Sequence, residues 1–588
     1  MSFPLTQNLS RLWASVMIDT LIKKGVTKFY LSPGMRNAPL ISAVRAAETK
    51  YKLQIIVGFD ERAQGMRALG AVKASDQPAA LICTSGSALS HYFPAVIEAS
   101  KTGLPLIILS SDRPMELTLS NANQTIQQDH FYGDYVQYFH NLGAPDLTQT
   151  PAQIRSLVGH AVDRSLFPTP GPVHLNCPFR EPLDQQSDEK ELQDKGLAAL
   201  RQNFTQQVND LILKDIPKSV LTPTPAPLTA SELDGFFLTP KESLIVVGEL
   251  TTTQTKKAVL SALRENQSLP FIVDVASGLK YDFVLSEGSV PSFDHPEVYK
   301  AYQNSSLKRI IHIGGRTTSK HYYRFLRENP EVEWVVFQDN YRQHDPAFAL
   351  NQRMVLPHGG LASSIGLILE TAKAQGLPLK IDFTGFVAKK SKLIDEAPLA
   401  YPSLSKTIIE NFSPDTVLWL GNSTVIRSFD SYASETYKLS IATEVQRGAS
   451  GIEGSLAGAI GFAETCQKPV VAVMGDISLL HDLNSLTSLQ NSTLPLTLVI
   501  AQNGGGGIFS LLPAGNDETL HRDLFTAHDV NFKKLCQALE IDCEQVTTPS
   551  ELKTLLQNRQ HNKPLVIEAL IDDSVNTAIY SELKTIKL

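Results

Sequence analysis

The sequence contains no basic block. Its 53 Lys and Arg are outnumbered by 60 Asp and Glu, giving a net charge of −7, which argues against nucleic acid as a partner. No apolar run is long enough to span a bilayer, so no membrane span is expected. The opening stretch, MSFPLTQNLSRLWASVMIDTL, shows none of the zones of a secretory signal, and a cytoplasmic setting is expected. Cysteine is scarce: Cys83, Cys177, Cys466, Cys536 and Cys543 are scattered, without metal-ligand spacing, and read as reduced thiols. Neither G-x-G-x-x-G nor G-x-x-x-x-G-K-[ST] occurs, which removes the common dinucleotide and P-loop fingerprints.

What is present is enough apolar material for several cores. Of 588 residues, 42% are hydrophobic and 19% charged, so about three or four globular domains are expected and disorder is not. Short apolar runs alternate with helical patterns. VTKFYLS, LQIIVGFDER, AALICT, PLIILSSD and VHLNCPFREPL form a first set; SLIVVGEL, FIVDVAS, RIIHIGG and EWVVFQD form a second. A third runs from TVLWLGNST to LVIEALI. The alternation predicts an α/β protein with three doubly wound parallel sheets, whose ligands gather beyond the carboxyl ends of the strands. No close repeat joins the sets, so any kinship between them is structural. Polar stretches near residues 185–196, 221–232 and 388–404 read as connections, giving domains over 1–186, 187–390 and 391–588.

The densest chemistry lies in VAVMGDISLLHDLNSLTSLQNSTLPLTLVIAQNGGGGIF, which ends at Phe509. VVAVM and LTLVIAQ read as strands, with Leu479, Leu480, Leu483, Leu486 and Leu489 at helical spacing between them. A right-handed crossover brings Asp476 and Asn503 to the same sheet edge. Their hard oxygens suit Mg²⁺, which takes few protein ligands and the rest from phosphate and water. The backbone at Gly475-Asp476 suits an anion. Two readings stand at this point: a magnesium–diphosphate site, or a sheet edge with a helix-capping Asp and a Gly-rich turn. Glu61, at a strand end, is either a buried acid with a raised pKa or part of an exposed Asp-Glu-Arg turn. Arg36, Arg113, Arg427 and Arg447 flank turns near strand ends, and Lys320 follows RIIHIGG. They are surface cations or a pocket for a polyanionic substrate. His481 reads as a helix-face histidine.

Taken together the motifs narrow the choice. Gly-Asp opening and Asn closing this stretch resembles the signature of thiamine diphosphate-dependent enzymes, and Glu61 resembles the glutamate that hydrogen-bonds the aminopyrimidine. SPGMRNAPL, FDERAQGMRALG, CTSGSA, SSDRPMEL, ANQTIQQ, GNSTVIRS, RGASGIEG, GDISLLHDLNSL and GGIFSLLP resemble the menaquinone-pathway synthases of the MenD family. These motifs cover the first and third sets along most of their length, and the middle set matches weakly. The resemblance implies decarboxylation of 2-oxoglutarate and addition of the remaining four-carbon unit to isochorismate, giving 2-succinyl-5-enolpyruvyl-6-hydroxy-3-cyclohexene-1-carboxylate. It implies that Asp476, Asn503 and the Gly505 carbonyl hold Mg²⁺, or Mn²⁺ in its place. Ser423, Gly475, Ile477 and Ser478 would meet the diphosphate, Ile452 would lie under the thiazolium, and Phe509 would belong to the cofactor site. Arg427 and Arg447 would serve the succinyl carboxylate, and Arg36, Arg113, Gln124 and Lys320 isochorismate. The 1–186 domain would bind the pyrimidine and the 391–588 domain the diphosphate, on different subunits of a homodimer or homotetramer.

Several positions depart from the family pattern. Met35 stands where serine is usual, His321 where arginine is common, Gln446 before Arg447 in place of asparagine, and Gln502 in an otherwise asparagine-rich run. Met35 lacks a hydroxyl, and His321 is mostly neutral at pH 7 with an ordinary pKa. They leave open a carboligase that uses another acceptor. A non-catalytic cofactor-binding scaffold is a third reading, against which Glu61 stands.

Overall fold

Continuous apolar runs become strands buried on both faces, as parallel sheets require. The computed structural model describes residues 8–184, 195–216, 227–357, 359–413, 415–433, 440–559 and 562–588. The chain divides into two compact units, Met1–Pro223 with Ala457–Cys466, and Thr224–Leu456 with Gln467–Leu588.

The first unit holds β1 (Lys28–Ser32), β2 (Gln54–Val57), β3 (Ala79–Cys83), β4 (Leu106–Asp112), β5 (Tyr138–Asn141) and β6 (Val173–Pro178). All pairings are parallel, in the order β2-β1-β3-β4-β6-β5. Successive side chains face opposite sides. Phe29 and Leu31 pack with Trp13, Val16 and Ile154, whereas Tyr30 and Leu81 pack with Met66, Leu69 and Val96. The Leu9–Lys23 helix starts at Asn8, whose side chain accepts the Arg11 N–H, and Gly25 with φ +95° follows its end. The helix Lys195–Leu213 places Phe204, Val208 and Ile212 in this same core, beyond the boundary expected at residue 186. Of the expected connections, residues 185–194 and 221–226 lie outside the described residues.

Close approach also shapes this unit. The helix Glu61–Ser75 crosses residues 457–466 where both backbones carry glycine. A Cβ on Gly70 would meet the Gly458 carbonyl oxygen at 2.0 Å, and one on Gly461 the Arg67 carbonyl oxygen at 1.9 Å. Arg67 pairs with Glu464 beside the crossing, its Nε donating to Oε2 at 2.9 Å.

The second unit holds two sheets. One contains β7 (Lys241–Val247), β8 (Phe271–Val273), β9 (Arg309–Ile313), β10 (Glu333–Gln338), β11 (Gln352–Val355) and β12 (Gly376–Pro378), in the order β11-β10-β9-β7-β12, with β8 also on β7. The other contains β13 (Val417–Leu420), β14 (Ala442–Val445), β15 (Val470–Gly475), β16 (Leu496–Gln502), β17 (Cys543–Val546) and β18 (Leu565–Leu570). Its order, β14-β13-β15-β16-β18-β17, repeats that of the first unit strand for strand. The fold class is therefore three all-parallel α/β sheets. The stretch near 388–404 is mostly helical, in Thr384–Glu396 and Tyr401–Glu410. The first helix exposes Lys389, Lys392, Asp395 and Glu396 and buries Phe386 and Ile394, whereas the second is buried along most of its length. The C-terminal helix Asp573–Thr585 sends Ile579 and Leu583 into the core under β9 and β10.

The two sheets of this unit are tied by polar contacts. Tyr281 Oη donates to the Phe429 carbonyl at 2.6 Å, and the Val275 N–H to Asp430 Oδ1 at 2.9 Å. Among the described residues no helix is long and apolar enough to cross a membrane.

Candidate functional site

In the second unit, β15 and β16 pair along Val470–Gly475 and Leu496–Ala501, so Asp476 and Asn503 emerge side by side. The helix after Asp476 is short, Asp476–His481, and gives way to a 3₁₀ segment, Leu483–Ser488. The helix expected through Leu489 breaks because buried Asp482 accepts the Ser485 hydroxyl at 2.6 Å, a local bond that competes with the helical pattern.

Asp476 is 2% exposed and its carboxylate organises the glycine turn. Oδ2 accepts the N–H groups of Asn503 at 3.0 Å and Gly505 at 3.1 Å, and Oδ1 that of Ile477 at 2.7 Å. Burial pushes its pKa up, against the pull of these bonds and of His528. His528 Nε2 lies 3.4 Å from Oδ2, and its Nδ1 accepts the Val530 N–H. Asn503 Oδ1 accepts from Tyr401 Oη at 3.2 Å, and Nδ2 donates to Asp573 Oδ1 at 3.1 Å. The Gly505 carbonyl accepts the Gly507 N–H at 2.9 Å. Asp476 Oδ1, Asn503 Oδ1 and the Gly505 carbonyl, each with one donor, keep capacity for a further partner.

This donor set suits one kind of metal. Among the described residues no group of three His, Cys, Asp or Glu could hold an ion. A zinc-type cage is therefore absent there, while one carboxylate, one amide oxygen and one carbonyl match a cation that draws its other ligands from phosphate and water. At two positions the turn has no room for a side chain. A Cβ on Gly505 would meet the Phe525 ring at 2.4 Å, and one on Gly507 would meet Asn503 Nδ2 at 2.2 Å.

Ser423 precedes the helix Thr424–Tyr432 with φ +65° and ψ −130°. A non-glycine residue there costs of order 1–3 kcal/mol, and such strain clusters at ligand sites. Arg427 Nη1 donates to the Ser423 carbonyl at 2.6 Å. Neighbouring Asn422 donates to the Gln446 carbonyl at 2.7 Å, and its Oδ1 accepts from Arg447 Nη1 at 3.3 Å. Arg316 donates to the Arg447 carbonyl at 2.8 Å. Ile452 is half-buried two residues past Ser450, which has φ +59°. Gly475, Ile477 and Phe509 are partly exposed and Ser478 is buried.

A cavity of about 280 Å³ opens beside this cluster, lined by Lys320, His321, Arg427, Ile508, Leu511 and Tyr580 among others. Its lining sets Lys320, Arg427 and Lys584 against Asp294 and Asp430, and it has the size for a small carboxylic acid. Arg447 is not among its lining residues. Burial lowers the His321 pKa, with Asp294 opposing, so the imidazole is neutral at pH 7.

The first unit carries a separate cluster at the carboxyl ends of its strands. Glu61 opens the helix Glu61–Ser75 behind its N-cap, Asp60. It is half-buried, and burial raises its pKa. Buried Arg36 donates to the Phe179 carbonyl at 2.8 Å and to Glu181 Oε1 at 3.4 Å. Ser85 joins two expected residues: Arg113 Nη1 donates to its hydroxyl, and Gln124 Nε2 to its carbonyl at 3.0 Å. Gln128, fully buried, accepts the Gly86 N–H at 3.0 Å and donates to Asn176 Oδ1 at 2.8 Å. Met35, Phe59, Met115 and Leu119 are exposed along these strand ends, at 60%, 70%, 89% and 92%.

Sequence reading missed His528, Asp573 and Tyr401, which lie far from Asp476 and Asn503 in the chain and sit in no motif. Asn422 and Gln128 were within GNSTVIRS and ANQTIQQ, and only the contacts distinguish them from their neighbours.

Comparison with known proteins identifies the family. Residues 13–132 match the thiamine pyrophosphate enzyme N-terminal TPP binding domain, and residues 428–569 the C-terminal TPP binding domain. The chain is 34% identical to the 2-succinyl-5-enolpyruvyl-6-hydroxy-3-cyclohexene-1-carboxylate synthase of Syntrophus aciditrophicus, over 100% of both chains. It is 31% identical to that of Chlorobaculum parvum, over 98% of this chain and 97% of the other. In fold it is similar to the Rhodococcus jostii thiamine diphosphate-dependent 4-hydroxybenzoylformate decarboxylase, with a TM-score of 0.69 at 14% identity over 95% of this chain and 99% of that one.

Proposed function

The chain belongs to the 2-succinyl-5-enolpyruvyl-6-hydroxy-3-cyclohexene-1-carboxylate synthases, thiamine diphosphate enzymes of menaquinone biosynthesis, and we propose that it performs their reaction: it releases CO₂ from 2-oxoglutarate and joins the four-carbon remainder to isochorismate. The observation that carries this reading, beside the family, is the cavity next to Ser423 in which three cations, Lys320, Arg427 and Lys584, stand against two acids, Asp294 and Asp430. Both substrates are dicarboxylates, and Arg427 and Lys320 face one space.

The coenzyme, when bound, supplies the electron sink for decarboxylation and carbon–carbon bond formation. The chain supplies placement. Asp476, Asn503 and the Gly505 carbonyl would hold Mg²⁺, or Mn²⁺, and with it the diphosphate, beside Ser423, Gly475, Ile477 and Ser478. Ile452 would support the thiazolium, with Phe509 at the rim. Glu61, with its raised pKa, would share a proton with a ring nitrogen of the pyrimidine. Arg427 and Arg447 would hold the donor carboxylate, and Arg36, Arg113, Gln124 and Lys320 the acceptor.

The assembly in this reading is a homodimer or homotetramer, in which Glu61 of one subunit and the partner subunit's Asp476 grip one coenzyme. The exposed Met35, Phe59, Met115 and Leu119 support a covered surface beside Glu61. A second reading keeps the coenzyme and changes the acceptor; it is favoured by neutral His321 and by Met35. An acceptor screen with 2-oxoglutarate as donor separates the two. Isochorismate as the preferred acceptor supports the first, and another acceptor turned over in its place supports the second.

A further inference from the structure

We propose that Asp274 and Asp294 are positioning residues for the acceptor side of the cavity: their carboxylates clamp Thr318 and Ser319 and so fix where Lys320 and His321 stand. The inference rests on the reading above in assigning Lys320 to the acceptor.

The segment between β9 and the helix Lys320–Glu328 must leave the sheet and place two polar residues at a cavity wall. Two acids hold it. Thr318 donates its N–H to Asp274 Oδ2 at 2.5 Å and its hydroxyl to Asp274 Oδ1 at 2.9 Å. Ser319 donates its hydroxyl to Asp294 Oδ1 at 2.8 Å, while its oxygen accepts the Tyr322 N–H at 3.2 Å as the cap of the helix. The single hydroxyl proton is therefore committed to Asp294 and a lone pair to the helix. Thr317 is held from the other side, its N–H donating to Tyr323 Oη at 2.8 Å.

The clamps are themselves anchored. Asp274 Oδ1 also accepts the Ala276 N–H at 2.8 Å, and Asp294 Oδ2 the Ser292 hydroxyl at 2.9 Å. Asp430 accepts the N–H of Val275, the residue after Asp274, and pairs with Lys280 at 3.3 Å. Asp430 lies one turn after Arg427 on the helix Thr424–Tyr432. A buried path thus runs from the Arg427 helix through Asp430, Val275, Asp274 and Thr318 to Lys320. It links the cation given to the donor with the cation given to the acceptor.

Charge explains why acids occupy these places. Hydrogen bonds to a carboxylate are about twice as strong as neutral ones. Asp294 also faces Arg427, and Asp274 faces Arg447, so the two acids reduce the repulsion among the cations of the site. A reacting pair displaced by about 1 Å loses on the order of 100-fold in rate, so the spacing of the two cations bears directly on carbon–carbon bond formation.

The test uses full-length holoenzyme with thiamine diphosphate and Mg²⁺, and compares wild type, Ser319→Ala, Ser319→Thr and Asp274→Asn. Ser319→Ala and Asp274→Asn are expected to raise the isochorismate KM about tenfold, the equivalent of one charge-assisted hydrogen bond. In Ser319→Ala the 2-oxoglutarate KM and isochorismate-independent CO₂ release are expected to stay within about twofold, and Ser319→Thr, which keeps the hydroxyl, to behave as wild type; Asp274→Asn also removes a charge facing Arg447 and is expected to raise the 2-oxoglutarate KM as well. Amide hydrogen exchange across residues 317–323 is expected to quicken in Ser319→Ala and not in Ser319→Thr. In Ser319→Ala, equal rises in both KM values, or unchanged exchange in the folded variant, would overturn the clamp. Wild type that ignores isochorismate would instead overturn the proposed function, and the exchange comparison would still decide the clamp.

Discussion

Asp476 Oδ2 accepts the backbone N–H of Asn503 at 3.0 Å, joining two strand ends that are 27 residues apart. The same oxygen holds Gly505. The acid thus shapes the turn whose oxygens would meet the metal, and does so through backbone bonds that need no ion. Asp476→Ala is expected to abolish metal-dependent thiamine diphosphate binding and to cost about 1–3 kcal/mol of stability, because two buried N–H groups lose their acceptor. Calorimetric titration with and without chelator, and denaturant unfolding, check both parts. Asp476→Asn, which keeps one acceptor oxygen, is expected to lose coenzyme affinity with a smaller loss of stability.

Glu61 has a different balance of role and fold. It is half-buried at a helix start, so Glu61→Gln is expected to change stability by less than about 1 kcal/mol. Its proton-sharing role predicts a fall in kcat of roughly 10²- to 10⁴-fold. Steady-state rates beside thermal unfolding of the same samples make the comparison. Equal inertness of wild type and variant, with normal coenzyme binding, would favour a scaffold.

Asp274 predicts a pH dependence. Burial and the neighbouring Asp430 push its pKa up to about 7, against Lys280 and its hydrogen bonds, with Arg447 and Tyr323 also facing it. The folded protein then binds more protons than the unfolded chain between pH about 4 and about 7. Stability contributed by this group falls as pH rises through that window. Thermal midpoints from pH 4 to 8 are expected to show a shallower decline in Asp274→Asn than in wild type.

His321 offers a gain-of-function test. His321→Arg places a permanent charge in the cavity, and isochorismate KM is expected to fall roughly 3- to 10-fold if its carboxylate meets this side chain. Saturation curves at fixed 2-oxoglutarate read it directly.

Gly461 tests the helix crossing behind Glu61. Gly461→Ala would drive a Cβ into the Arg67 carbonyl, and a loss of roughly 3 kcal/mol or more is expected in denaturant unfolding.

Much of the fold was legible because central parallel strands are continuous apolar runs: Val470–Gly475 and Leu496–Gln502 could be read directly. Of the edge strands of the first and third sheets, only Gln54–Val57 was. Tyr138–Asn141, Ala442–Val445 and Cys543–Val546 are short, partly exposed and mixed in polarity, so their pairing shows only in three dimensions. Asp476, Asn503 and the Gly-rich turn were legible as a set because one crossover brings them together. His528 and Tyr401 reach the same carboxylate and amide through tertiary packing, which leaves no local pattern. The Asp274 and Asp294 clamps were invisible for the same reason, although RIIHIGG and Lys320 beside them were not.

The central claim is one coenzyme-dependent reaction joining two dicarboxylates, and product analysis tests it most directly. Purified protein with thiamine diphosphate, Mg²⁺, 2-oxoglutarate and isochorismate is expected to release CO₂ and to yield, by mass spectrometry, 2-succinyl-5-enolpyruvyl-6-hydroxy-3-cyclohexene-1-carboxylate, with no such adduct when isochorismate is left out. CO₂ release at the same rate with isochorismate recovered unchanged would contradict it.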